Sequence, residues 1–572
     1  MHIELSSKVV ARLIDHGCKT KALLREDPWR GLTIDTGDIL PTDIPLLMKA
    51  LDVPEGTIGV KSTERREFRR IIRLVKAAEK AATAIPDKTI VKKLEEMPGL
   101  IQKALIGTPN KWVFKVHARL GILVPYFVRG AYYHPPERVR DNYTPASVSM
   151  KMRAVCRGSY ADEYLTFGRE DLGKTILDVL RAGDLMIETP QLMADYDASM
   201  KKYHDHAPLL GEQYLGNGKA YGGSSLWSRA DIALVRDGVQ ARLVMDESEA
   251  DGGGDEEKAK SPIDNTTFWT QRRVGDEGDE DDGGEKTYRL PTHPIVRAFN
   301  LGTHEFCQTH IDNLEPYPYS ATVGQKLILP DDHRLLIDTL TMGAVERMDD
   351  IVKGKATGII ALCSGKPGTG KTLTAEVYAE VAKRPLYTVQ CSQLGTDAEK
   401  LEELLAVVLT RATRWRAILL IDEADVYIHE RGDDLDQNAI VGVFLRLLEY
   451  YSGILFLTTN RDTIIDDAIL SRCTAHVRYD VTKTTQESAK VWKVLLEQYG
   501  VKSVDPVAAA EAFPGISGRS IRALVRLSKM MADHKKAKVD IALLRWAGKF
   551  QDFTEKGEWH PDIPPTTPGR VR

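Results

Sequence analysis

Apolar residues along this chain follow three different spacings. Up to about residue 105 the period is helical: Phe68, Ile71, Ile72 and Val75 share one face of the run EFRRIIRLVKAAEKAA, which Arg65, Arg66, Arg69, Arg70 and Arg73 decorate. This predicts a mostly helical region over residues 1–105. The arginines read as a solvated face paired within the helix to Glu64 and Glu67, with nucleic-acid contact as the alternative. From about residue 110 the period shortens towards two. KWVFKVH, ILVPYFV, DIALVRD and ARLVMDE read as strands, the last two meeting at the turn Asp237-Gly238. Helical stretches, LGKTILDVLRAG and LMADYDASMKKYH, interrupt them, so residues 110–320 are predicted to form a mixed α/β domain. Beyond residue 325 the strand candidates become unbroken apolar runs, GIIALCS, AILLI and GILFLTT. Such runs belong in a parallel sheet buried on both faces.

Two stretches rich in glycine and acid, DESEADGGGDEEK near 246–260 and GDEGDEDDGGEK near 275–286, break the second pattern. TTFWTQRR between them reads as a strand, so both are predicted to be mobile inter-strand loops; a docking surface for a basic partner is the alternative. Residues 246–285 hold fifteen acids and four bases, a net −11 that leaves +7 for the rest of a chain whose total is −4. No block is basic enough to declare nucleic-acid binding from charge alone. A length of 572 residues implies two or three domains. No apolar run reaches the roughly 18 residues that cross a bilayer, and the start MHIELSSKVV lacks an export pattern. Six scattered cysteines without a C-x-x-C pair argue against a disulfide framework and a zinc ribbon, so a cytoplasmic location is expected. His304, Cys307 and His310 in HEFCQTH lack a fourth ligand nearby and miss the H-E-x-x-H pattern. The Pro-rich end, within residues 551–572, is expected to be a flexible tail.

The strongest chemistry follows GIIALCS. There GKPGTGKT, residues 365–372, places G-x-x-x-x-G-K-[ST] between a strand and a helix. Gly365, Gly368 and Gly370 let the loop wrap, so that backbone N–H groups face phosphate oxygens at a positive helix start. Pro367, Thr369 and Leu373 belong to the same nucleotide-binding set. Lys371 is expected to reach the β- and γ-phosphates of ATP, and the Thr372 hydroxyl to hold magnesium (Mg2+). Further on, WRAILLIDEAD ends a buried strand in Asp422 and Glu423. Asp422 then stands beside the magnesium shell, and Glu423 can polarise an attacking water as general base; a simple helix N-cap is the bland reading. GILFLTTN ends in Asn460, a polar tip able to orient water or the γ-phosphate, or merely to cap the chain.

In sum these motifs resemble the AAA branch of the AAA+ ATPases, over about residues 325–530. DEADVYIHER, NAIVGVFLRLLEYYSGILFLTTNR and DDAILSRC are similar to a subgroup with long N-terminal regions seen in fungi and bacteria, and the likeness starts near residue 290. The resemblance implies an α/β P-loop core with a parallel five-stranded sheet over 325–480, an α-helical lid over 481–550, and a homo-oligomeric, usually hexameric ring. It also implies an arginine that senses the γ-phosphate across the subunit boundary. Arg472, in ILSRCTAH, matches that position in a setting closer to clamp loaders, and the second arginine of the main branch has no clear match. Arg519 in GISGRSIRAL matches a lid arginine that contacts nucleotide. Threading relatives carry an aromatic-hydrophobic-glycine pore loop, where this chain has Gln393, Leu394 and Gly395 after a shortened approach. Glutamine supplies less apolar grip than an aromatic ring.

The expectation is therefore a multidomain chain: a mixed α/β N-terminal region, a P-loop core and a helical lid. Its expected work is to hydrolyse ATP and remodel a protein partner recognised by the N-terminal 320 residues. A nucleic-acid-associated switch and an ATP-controlled assembly or signalling ATPase are the alternatives.

Overall fold

In a computed structural model the chain divides after Tyr317. The structure describes residues 2–4, 24–27, 31–35, 89–139, 142–222, 231–247, 265–267, 287–342, 358–395, 397–432, 434–460, 465–480 and 484–550. The basic run at 65–73, most of both acidic stretches and the tail lie outside them.

The first unit is built from antiparallel strands. Five form one sheet: β1 (Trp112–Val116), β2 (Leu123–His134), β3 (Ser147–Cys156), β4 (Ser159–Phe167) and β5 (Leu185–Ile187), in the order β5-β1-β2-β3-β4. In β3 the residues Val148, Met150, Met152 and Ala154 are buried while Ser149, Lys151 and Arg153 are not. That alternation gives one face to a core and the other to different surroundings. The inner face packs against α1 (Met97–Ile106) and α2 (Ile176–Ala182) through Ile101, Leu105, Val128, Met150 and Val179. Thr175 opens α2 by accepting a hydrogen bond from the Asp178 amide at 3.2 Å. The outer face meets α3 (Pro190–His206), where the Tyr196 ring stands edge-on to Trp112 and Phe114.

A second antiparallel sheet follows. Its strands are β6 (Gln213–Gly216), β7 (Lys219–Gly222), β8 (Asp231–Ala233), β9 (Val239–Met245), β10 (Ile295–Asn300), β11 (Glu305–His310) and β12 (Leu314–Pro316), in the order β8-β7-β11-β10-β9-β6-β12. Val235–Arg236 adds a short pairing to β9. That hairpin closes at Asp237 and Gly238, whose φ values of 50° and 78° are both positive, as a two-residue turn matching strand twist requires. All six residues of β10 are buried. Cys307 and His310 lie on β11 at an odd spacing, so the strand sends them to opposite faces, and His310 Nδ1 accepts from the Asp312 amide at 3.2 Å.

Three expectations need correction. Within residues 1–105, expected to be mostly helical, the described segments His2–Glu4, Leu24–Asp27 and Gly31–Asp35 form a three-stranded antiparallel sheet. Each strand is too short to display a period of two, so the local pattern had little to register. The mixed domain also begins before residue 110, since Val91, Leu94, Met97 and Ile101 belong to the core of the first sheet. Finally, Asp246 and Glu247, which follow β9, are pinned where a mobile loop was expected: Asp246 is fully buried, and Glu247 holds Arg157 at 2.9 Å and the Arg297 amide at 2.6 Å.

The second unit contains a parallel sheet of β13 (Ile359–Gly365), β14 (Leu386–Gln390), β15 (Ile418–Asp422), β16 (Ile454–Thr459) and β17 (Ala475–Tyr479), ordered β14-β15-β16-β13-β17. All six residues of β16 are buried, which explains its unbroken apolar sequence. Around it lie α4 (Asp331–Met342), α5 (Lys371–Ala382), α6 (Ala398–Arg414), α7 (Leu435–Glu449) and α8 (Asp467–Arg472). A lid of α9 (Thr485–Gln498), α10 (Pro506–Ala512), α11 (Gly518–Lys535) and α12 (Ile541–Gly548) follows. It has its own core around Trp492, Phe513, Leu524 and Leu544. Thr484, Asp505, Ser517 and Asp540 each cap one lid helix with a side-chain oxygen. No helix among the described residues is long and apolar enough to cross a membrane.

Candidate functional site

The glycine-rich loop leaves β13 and enters α5 under steric constraint. Gly365 has φ 140°, and a Cβ there would stand 2.0 Å from the carbonyl oxygen of Tyr479, because β17 runs against it. Gly368, at φ 78°, would bring a Cβ within 2.8 Å of the Arg519 side chain and 2.9 Å of Ser517 Oγ. Both positions therefore need glycine for conformation and for room. Lys371 is buried, and its Nζ donates to the carbonyls of Gly365 (2.6 Å) and Lys366 (2.8 Å) and to Asn460 Oδ1 (3.0 Å). Asn460, at the end of β16, is thus brought to the loop by parallel pairing of β13 with β16. Thr369 Oγ1 donates to the Lys366 carbonyl at 2.8 Å, which tightens the turn, while Leu373 is 48% exposed.

The acidic side is organised by two threonines. Asp422 Oδ1 accepts from Thr372 Oγ1 at 3.0 Å and also from Thr458 Oγ1. The same Thr458 oxygen accepts the Glu423 amide at 3.0 Å. A single buried hydroxyl on β16 therefore ties the carboxylate of Asp422 to the backbone of Glu423. Glu423 sits at φ 56°, a left-handed conformation that costs a non-glycine residue about 1 kcal/mol. Its carbonyl is held from the other side by Cys391 Sγ at 2.9 Å. Burial first, and then Asp425, Glu423 and Asp422, push the Cys391 thiol up to about 12, so it stays protonated as a donor. Thr459 Oγ1 donates in turn to the Asp425 carboxylate. Thr458 and Cys391 escaped the sequence reading; the one available signal was a pair of threonines ending an otherwise apolar buried strand.

Chemically, Thr372 and Asp422 offer adjacent hard oxygens of the kind magnesium takes. Lys371 and the amides at the start of α5 offer positive charge to phosphates. Arg519 is exposed at the start of α11, and its amide donates to the Gly368 carbonyl at 3.3 Å, so the lid touches the phosphate loop. Arg472 is different. Its guanidinium lies 3.6 Å from Glu449 and 3.2 Å from the Ala468 carbonyl; among the described residues it has no polar partner in the phosphate loop. Asp466, the cap of α8, is bonded to Arg431 at 2.8 Å. Burial raises the Asp466 carboxyl, but the hydrogen bonds from Arg431 and the Ala468 amide outweigh it and hold the group below its ordinary range.

The loop after β14 is pinned. Cys391–Leu394 forms one helical turn with Leu394 buried, and Gln393 Oε1 accepts from the Gln390 amide at 3.0 Å. The Tyr427 hydroxyl lies 2.9 Å from the Cys391 carbonyl and 2.7 Å from that of Gly395. The apolar residue of this loop thus faces inward.

The model of the family described as ATPase family associated with various cellular activities (AAA) matches residues 361–481, the segment from β13 through β17 just described. Residues 361–481 therefore carry an AAA domain. Its AAA segment is 30% identical over 177 residues to the mitochondrial sorting homolog of Caenorhabditis elegans, covering 29% of this chain and 52% of that protein. It is 28% identical over 191 residues to the ATP-dependent zinc metalloprotease FtsH of Buchnera aphidicola, covering 30% of each chain. Fidgetin-like protein 1 of Drosophila melanogaster is 28% identical over 183 residues, 30% of this chain and 34% of that one. The chain therefore spans about half or less of the length of these curated relatives.

Proposed function

We propose that this AAA+ chain binds ATP with magnesium, hydrolyses it within a ring of copies, and uses the resulting motion to remodel a protein partner held by its N-terminal region. The observation that supports this most is the pair of hydrogen-bonded groups that the phosphate loop joins at Lys371 and Thr372: Lys371 with Asn460, and Thr372 with Asp422, Thr458 and Glu423. In it Gly365, Pro367, Gly368, Thr369 and Gly370 form the phosphate cradle, Leu373 follows, and Arg519 reaches from the lid. Lys371 exchanges its loop carbonyls for the β- and γ-phosphates. Thr372 and Asp422 hold magnesium, which when bound neutralises charge on the phosphate oxygens. Asn460 orients water and Glu423 accepts its proton. Arg472 of a neighbouring copy completes the site, which fits a side chain whose own-chain partners lie outside the phosphate loop. Relative motion of core and lid then transmits the cycle.

A second reading, an ATP-controlled assembly switch, is favoured by one observation. Leu394 is buried and Tyr427 clamps the loop that grips substrate in threading relatives, so this loop is poorly placed to pull a chain.

The test is ATP turnover against protein concentration, with particle mass, for wild type, Glu423→Gln and Arg472→Ala. The proposal expects activity to rise as rings form, and both variants to bind ATP while losing about a hundredfold or more in turnover. Turnover by a monomer, with Arg472→Ala active, would refute the ring. A ring whose turnover no protein substrate alters would favour the switch.

A further inference from the structure

The outer face of the first sheet is divided into a covered end and an open end. Trp112, Phe127 and Val155 are buried there together with Leu290, and the half-buried Tyr196 packs against them. Towards the other end, Tyr132 on β2 is 45% exposed and Tyr164 on β4 is 61% exposed, with Lys151 exposed on β3 between them. The ladder fixes this arrangement. Lys151 pairs with Gly130 on one side and Tyr164 on the other, and Tyr132 pairs with Ser149 on the same face. Neighbouring strands stand about 4.8 Å apart, so the two rings flank one ammonium group at a separation of about 10 Å. Lys151 Nζ lies 5.5 Å from the Tyr132 centroid and 5.9 Å from that of Tyr164. Gly130 makes the room: a Cβ there would meet the Tyr132 hydroxyl at 2.6 Å, so the phenol lies along β2 over the glycine.

Charge sorts the same face. Arg153 is neutralised by Asp162 through both arms of its guanidinium, each at 2.6 Å, and it covers the Tyr160 ring. Lys151 has no carboxylate partner among the described residues and is left with aromatic rings alone. Two outward tyrosines around an unpaired cation suit a ligand that carries flat π faces and intervening negative charge. An acidic peptide would satisfy Lys151 and leave both rings unused.

We propose that this face binds single-stranded nucleic acid, with bases stacked on Tyr132 and Tyr164 and a phosphate on Lys151. Stacking is tolerant of base identity, so the site reads strandedness more than sequence. It goes beyond the remodelling reading and does not depend on it, because none of its residues belongs to the ATP site.

The test is fluorescence anisotropy of the full chain with labelled oligothymidylate and oligouridylate of about 15 nucleotides, at low and physiological salt. Expected are saturable binding, a loss of about tenfold for Tyr132→Ala and for Tyr164→Ala, retention in both Tyr→Phe variants, and a shallower salt dependence in Lys151→Gln. ATP turnover should match wild type in every variant, and thermal melts and far-ultraviolet circular dichroism matching wild type report that the first unit still folds. If wild type fails to bind, or both Tyr→Ala variants bind as wild type does, the proposal falls. Binding of polyglutamate that depends on Lys151 but on neither tyrosine, with the oligonucleotides unable to compete, would also overturn it in favour of an acidic protein partner.

Discussion

The first sheet of the N-terminal unit and the sheet of the ATPase core each have five strands, yet they present their chemistry in different places. In the parallel sheet both faces are covered, so side chains along β16 are buried and polar groups gather where strands end: Ser364 and Gly365 on β13, Asp422 on β15, Thr458 and Thr459 on β16, and Asn460 directly after it. In the antiparallel sheet one face packs on helices, and the other is free along part of its length to carry Tyr132, Lys151 and Tyr164. Parallel strands thus collect function at their tips, and antiparallel strands can carry it on a face.

Glycine substitutions probe that difference most strongly. Gly365→Ala should cost the ATPase unit about 3 kcal/mol and abolish turnover, since its Cβ meets the Tyr479 backbone carbonyl at a positive φ. Gly130→Ala meets only the tip of the Tyr132 side chain, which can swing away, and should cost no more than about 1 kcal/mol. Equal losses in thermal melts of the two variants would break the contrast.

The next effect concerns His293, buried in the first unit and hydrogen-bonded through Nε2 to the Pro125 carbonyl at 3.0 Å. Burial, followed by the nearby His117, lowers its pKa from 6.5 to about 3. The folded state then binds fewer protons than the unfolded one. Stability is complete above the unfolded value and declines as pH falls from 6.5 towards 3. By pH 5 the loss is about 2 kcal/mol. Urea unfolding between pH 7 and 5 should show it, and His293→Asn, which keeps a donor without titrating, should flatten the slope. An unchanged slope would mean that the imidazole is not kept neutral by the fold.

The smallest effect is also the most local. Thr458→Val should lower kcat about tenfold with ATP affinity nearly unchanged, and Thr458→Ser should restore it, because the hydroxyl ties the Asp422 carboxylate to the Glu423 amide. A valine variant with full kcat would reduce Thr458 to packing.

Legibility followed sequence distance. The phosphate loop is a run of eight residues between a strand and a helix, so its backbone geometry is written locally. Asp422, Glu423 and Asn460 were legible because each ends an apolar run. Thr458 was not, since its two partners lie at the end of a neighbouring strand and just beyond it, 36 and 35 residues away. The pinning of the loop that holds Leu394 was equally hidden, as its tie comes from Tyr427, beyond β15. In the first unit, short strands such as β5 and β7 left little periodicity to read, and α1 gave no sign that its apolar face belongs to a sheet that follows it.

The sequence by itself determined the parallel core, the phosphate loop and the acidic strand end, because spacing and unbroken apolar runs constrain those elements without reference to distant residues. Only the tertiary structure decided which hydroxyl supports Glu423, which way Leu394 faces, and which half of an antiparallel face stays open around Lys151. Those outcomes depend on strand order and register, which bring together residues that the chain itself keeps far apart.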